Sequence, residues 1–292
     1  MIDVISNQYI EVGISRQGVE ITHIISKATG LDYMWNANPD IWGSSAPVLF
    51  PAIGSFKNNQ CVIEGITYNI PKHGFIRHNT DIELKHKTDS KLVYELTYSP
   101  KTMVIYPYKF KFCITFSLEE NRLIVSHTVD NLDDKTIYFS LGAHPAFKCP
   151  LYSNESYDDY YLEFEKKEFA YTTLLGENGL ISDNKKLILN NTNKLGLRAD
   201  LFDDDALIFK TLKSKKIALK SKMSSQVLTV CFDDFDYLGI WAKPNAPFVC
   251  IEPWLGIADH ENTNGDFLEK EGLISLEETN RFQANYIISI DD

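Results

Sequence analysis

The chain has 292 residues, with 29 Lys and Arg against 40 Asp and Glu, a formal net charge of −11. An acidic surface repels phosphate backbones and anionic bilayers, so neither nucleic acid nor a membrane is expected as a partner. Hydrophobic residues make up 44% and charged residues 24%, a globular balance that excludes a disordered chain.

From the N-terminus, Met1-Ile2-Asp3-Val4 lacks the basic-then-apolar pattern of an export leader, and no apolar run approaches the ~20 residues of a spanning helix. A cytoplasmic location is therefore expected. Strands are predicted at 8–14, 18–25 and 61–70. Leu92, Tyr94, Leu96 and Tyr98 then alternate with less apolar neighbours across 92–98. Ile114, Phe116 and Leu118 run into Glu119-Glu120-Asn121, and Leu123, Val125, His127 and Val129 run out of it, which predicts a β-hairpin. A strand over 137–143 follows. The stretch 151–200 is rich in Asn, Asp, Lys and Tyr and reads as long surface excursions. Further strands are predicted at 205–210, 215–220, 226–232, 237–242, 248–252 and 283–290. Only 266–273 suggests helix, a short turn that Gly272 would end.

Many short strands without crossover helices predict an all-β fold, a sandwich or a barrel. Phe248-Val249-Cys250-Ile251 is apolar on both faces and suits the middle of a sheet covered on both sides. With no linker and no repeat, a single domain over 1–292 is expected. The five cysteines are scattered and form no CxxC pair, which points to a reducing compartment and away from disulfides or structural zinc.

Three segments place a titratable side chain among Gly, Pro and aromatic residues at the end of an apolar strand. In Pro71-Lys72-His73-Gly74-Phe75-Ile76-Arg77, His73 is open to a ligand and Arg77 offers five fixed donors; a turn histidine beside an exposed arginine is the plain structural alternative. In Leu141-Gly142-Ala143-His144-Pro145-Ala146-Phe147, small residues lead to His144 and leave room in front of it, although a satisfied core histidine fits equally. In Phe248–Gly256, Glu252 lies inside an apolar run, where burial would raise its pKa towards that of a general base; an ion pair with Arg77 is the alternative. Trp254 could stack on a sugar, although an aromatic beside a proline is more often packing, and Cys250, two residues from Glu252, could face the same cavity but reads as inert packing. The two histidines and Glu252 could ligate a metal, but their spread along the chain provides no spacing evidence.

The ordered set His73-Gly74-Phe75-Ile76-Arg77, Gly142-Ala143-His144-Pro145-Ala146-Phe147 and Ile251-Glu252-Pro253-Trp254-Leu255-Gly256-Ile257-Ala258-Asp259 resembles the aldose 1-epimerase (galactose mutarotase-like) superfamily, in its LacX-like branch. Tyr106-Pro107-Tyr108-Lys109-Phe110 resembles the family's proline-aromatic strand. The resemblance implies a large antiparallel β-sandwich, or supersandwich, that binds a sugar in an open cleft without metal or other cofactor, as monomer or homodimer. It implies Glu252 as general base at the anomeric hydroxyl and His144 as general acid at the ring oxygen. His73, Arg77 and Asp205 would bind the sugar, Asp205 being chosen from Asp203-Asp204-Asp205 without a firm register. The implied activity is interconversion of the α and β anomers of a free hexose. A hexose 6-phosphate mutarotase ranks second, because the phosphate-binding arginine of that branch is replaced by Trp42-Gly43-Ser44-Ser45. A carbohydrate-binding or sensing protein without turnover is the remaining alternative.

Overall fold

The computed structural model describes residues 1–224 and 226–291, so Ser225 and Asp292, both within the expected 1–292 domain, lie outside the described residues. The fold is all-β and antiparallel. A 15-stranded sheet passes, neighbour to neighbour, through Val48–Leu49, Leu141–Ala143, Phe248–Leu255, Tyr237–Trp241, Leu207–Phe209, Tyr160–Leu175 and Lys216–Ser221. It continues through Gln226–Cys231, Arg281–Ile290, Arg122–Asn131, Phe110–Glu119, Lys91–Thr97 and Glu83–Lys87, and off this path Ala146–Lys148 pairs with Phe248–Leu255 and Ile181–Gly196 with Tyr160–Leu175. Phe50, just past one end of this path, stacks on Phe112 near the other end at 4.9 Å. The sheet thus doubles back over its own apolar face as a β-sandwich. A separate three-stranded sheet is made of Ile2–Ser6, Ile10–Ser15 and Ile21–Ser26.

Alternation drives this arrangement. Along Phe110–Glu119, residues Phe110, Phe112, Ile114, Phe116 and Leu118 point inward and their neighbours outward. The predicted hairpin partner Arg122–Asn131 repeats the pattern, with Leu123 opposite Leu118 and Val125 opposite Phe116. Each fully buried side chain of this kind contributes roughly 1.5–3 kcal/mol, so a one-residue slip that turned the set outward would be prohibitive.

The structure corrects the reading of 151–200. Tyr160–Leu175 and Ile181–Gly196 form a long hairpin, interrupted by four register irregularities. The second strand buries few of its residues, so it carries no apolar period to read. The expected strand at 61–70 is two strands, Cys61–Ile63 and Ile66–Tyr68, folded back at Glu64-Gly65. A short helix, Pro100–Ile105, was not anticipated, although Ser99 caps it by accepting the Thr102 N–H while Thr102 accepts the Ser99 N–H. The turn expected at 266–273 is a 3-10 turn over Phe267–Glu269, followed by Gly272.

Candidate functional site

Phe248–Leu255 is buried at every position and lies between Tyr237–Trp241 on one side and the pair Leu141–Ala143 and Ala146–Lys148 on the other. Gly142 pairs with Trp254 and Ala146 with Cys250 in one continuous register, which sets His144, at the break between the two short strands, opposite Glu252. At that break the His144 N–H turns away to the Pro47 carbonyl, 3.1 Å distant. Cys250, Glu252 and Trp254 share one face of their strand. The small residues before His144 do make room, but for Trp254 and not for a ligand. A Cβ on Gly142 would come within 2.8 Å of the indole, and one on Gly239 across the strand within 2.6 Å.

His73 is held by a reciprocal contact with Gly54. Its N–H donates to the Gly54 carbonyl at 3.0 Å, and the Gly54 N–H donates to its Nδ1 at 3.2 Å. Since Nδ1 accepts, the neutral ring carries its proton on Nε2 and presents a donor. The ring is edge-on to His144 with centroids 5.9 Å apart.

All six anticipated residues, His73, Arg77, His144, Asp205, Glu252 and Trp254, border one cavity of about 260 Å3. All three aspartates of Asp203-Asp204-Asp205 are exposed; Asp205 is the one that borders this cavity, and Asp204 pairs with Lys186 at 2.7 Å. The Arg77–Glu252 ion pair is not formed. Glu252 Oε2 lies instead 3.2 Å from His144 Nε2, an approach too oblique to close a hydrogen bond, so this oxygen is buried without a hydrogen bond of regular geometry. Residues that sequence reasoning missed complete the walls. Trp42 stacks on His144 at 5.1 Å, Trp241 meets it edge-on at 5.9 Å, and Lys72 borders the cavity beside Arg77. The pattern Lys72-His73 was visible, but nothing in the chain linked Trp42 to His144.

Burial sets the proton affinities. It pushes the Glu252 carboxyl well above the carboxylate range, opposed by the charge of Lys72 and a weak hydrogen bond from Trp254 and reinforced by Asp205. It pulls His144 down to about 3, with Arg77 and Lys72 adding to the effect. His73 is lowered well below an ordinary histidine, first by burial and then by His144 and nearby cations. At neutral pH the cavity therefore presents neutral imidazoles beside a carboxyl that readily holds a proton. His144, Cys250 and Glu252 also bring one nitrogen, one sulfur and one oxygen within 4.8 Å of each other, the only potential metal-ligand cluster among the described residues.

A family profile described as aldose 1-epimerase matches residues 2–275. The LacX proteins of Lactococcus lactis subsp. lactis, plasmid and chromosomal, are 33% identical over 263 residues, which covers 87% of this chain and 87% of theirs. A galactose mutarotase related enzyme from Lactobacillus acidophilus superposes with a TM-score of 0.94 at 34% identity, over 100% of this chain and 98% of that one. A galactose mutarotase-like protein from Lactobacillus casei ATCC 334 superposes with a TM-score of 0.93 at 29% identity, over 100% of both.

Proposed function

Because this chain belongs to the aldose 1-epimerase family, we propose that it is a mutarotase that interconverts the α and β anomers of a free hexose. The observation that carries this reading is the placement of His144 Nε2 and Glu252 Oε2, 3.2 Å apart on the wall of a sugar-sized cavity. Ligand pockets usually measure about 300–1,000 Å3, so a cavity of about 260 Å3 suits a single pyranose ring. Trp42, Trp241 and Trp254 offer apolar faces to the sugar C–H groups.

In the proposed reaction Glu252 takes the proton of the O1 hydroxyl, the C1–O1 bond becomes a carbonyl, the C1–O5 bond breaks, and O5 takes a proton from His144. Rotation of the aldehyde carbon and reclosure on its other face, with the two residues exchanging roles, yields the opposite anomer. The pair works with one proton in total. Burial favours that proton on Glu252 at rest. A bound sugar favours the charged arrangement, because O1–H donates to the carboxylate and O5 accepts from Nε2–H. The two arrangements have the same net charge, so pH does not choose between them. His73, donating from Nε2, and Arg77 and Asp205 hold the hydroxyls and the ring oxygen.

A phosphorylated hexose is the second reading, favoured by Lys72 and Arg77, which both border the cavity while neither forms an ion pair among the described residues. The test is anomer exchange followed by polarimetry and NMR on galactose, glucose and their 6-phosphates. Glu252→Gln and His144→Asn are each expected to reduce the enzymatic rate by about 100- to 10,000-fold. Wild-type rates in both variants would overturn the assignment of base and acid, and sugar binding without exchange in the wild-type protein would make it a binding protein.

A further inference from the structure

Behind the acid/base pair stands a thiol that proton transfer does not use, and we propose that His144, Cys250 and Glu252 together form an inhibitory binding site for Zn2+. The three ligand atoms lie within 4.8 Å of one another. Tetrahedral zinc with bonds of about 2.0–2.3 Å holds neighbouring ligand atoms about 3.3–3.6 Å apart. His144 Nε2 and Glu252 Oε2 already stand at 3.2 Å, so closing the set asks for side-chain shifts of little more than about 1 Å.

A second observation points to a cation at this place. Glu252 is 1% exposed, and its Oε2 closes no hydrogen bond of regular geometry, the Trp254 indole making only a weak contribution to the carboxylate. An unsatisfied buried acceptor is costly, and a coordinated metal would satisfy it. The donor set, one imidazole, one thiolate and one carboxylate, suits the borderline-soft Zn2+ and disfavours the hard Mg2+ and Ca2+. Cys250 is fully buried two residues before Glu252 on the same strand face, while His144 and Glu252 border the cavity. The ion would enter from the cavity, release the thiol proton and any proton on Glu252 to solvent, and keep its fourth position for water or a sugar hydroxyl. With Zn2+ seated, neither the O1 acceptor nor the O5 donor is free. That inhibition rests on the proposed acid/base reading; the binding does not.

The test uses tag-free protein and Co2+ as a spectroscopic stand-in for Zn2+. The expected result is a thiolate-to-cobalt charge-transfer band with tetrahedral d–d absorption, erased by one equivalent of Zn2+. Cys250→Ala should remove the band and weaken Zn2+ binding, followed by calorimetry, at least ~10-fold, while keeping the metal-free mutarotation rate. Cys250→Ser serves as the second variant if the alanine protein does not fold. No thiolate band in the wild-type protein, or a band that survives loss of Cys250 and so comes from another of the cysteines, overturns the site. A Cys250-dependent band in a protein without mutarotase activity would uphold the metal site and remove only the inhibition.

Discussion

His127 sets out what burying a histidine in this sandwich should cost. It is fully buried between Phe112 and Tyr286, with ring centroids 6.1 and 5.9 Å away, and neither ring nitrogen closes a hydrogen bond. Burial lowers its pKa from 6.5 to about 4, with the Ala284 backbone across the ladder offsetting part of the drop. A depressed folded-state pKa means that the stability is present in full above pH 6.5 and is lost as pH falls towards 4. At pH 7 the imidazole is largely neutral in both folded and unfolded chains. At about pH 4.5 it is protonated when unfolded and mostly neutral when folded, which withdraws about 2 kcal/mol of folding free energy. His127→Leu removes this linkage and the two unpartnered nitrogens while keeping an apolar side chain of similar bulk. The variant should be at least as stable as wild type at pH 7 and gain about 2 kcal/mol on it by pH 4.5. Urea unfolding at the two pH values measures the difference. His73 and His144 add acid lability of the same sign, but they are present in both proteins and cancel. If wild type and variant lose the same stability between pH 7 and 4.5, His127 does not titrate as its burial requires.

Two further expectations concern the loop that fixes His73. Gly54 has φ +69, and a Cβ there would fall 2.3 Å from that of Ala258; Gly54→Ala should therefore cost about 2–5 kcal/mol in chemical unfolding and raise the KM for sugar by displacing His73. An unchanged KM would separate His73 from sugar binding. Beneath the same loop, Lys270 and Asp259 form a buried pair at 2.9 Å, with Asp259 also accepting the Lys57 N–H at 3.1 Å and sending its own N–H to the Ser55 carbonyl at 2.9 Å. Lys270→Met leaves a buried carboxylate uncompensated and should cost about 3–5 kcal/mol, most of it recovered in the Lys270→Met, Asp259→Leu double variant. A single variant as stable as wild type would show that the pair contributes nothing to the fold.

The parts of this molecule legible in the sequence are those where one face of a strand meets the core. Phe110–Glu119 and Arg122–Asn131 announce themselves because burial and exposure alternate along them, and Phe248–Leu255 because it is covered on both sides. The hairpin Tyr160–Leu175 with Ile181–Gly196 escapes the same reading, since the first strand buries polar Glu168, Thr172 and Thr173 beside its apolar residues and the second mostly faces water, held by the backbone ladder. The site divides along the same line. His73, His144 and Glu252 stand out because a titratable group among Gly, Pro and aromatic residues is locally anomalous. Trp42 and Cys250 are locally ordinary, an aromatic in a loop and a thiol in an apolar strand. Each matters only through a contact made by the fold, Trp42 by stacking on His144 and Cys250 by lying two residues from Glu252 on the face that His144 approaches. Sequence patterns report what a residue costs where it stands; they do not report which distant side chain it will touch. In the proposed reaction the oddly placed groups carry the protons, and their burial by the fold, with Trp42 stacked on His144, raises the proton affinity of Glu252 and lowers that of His144.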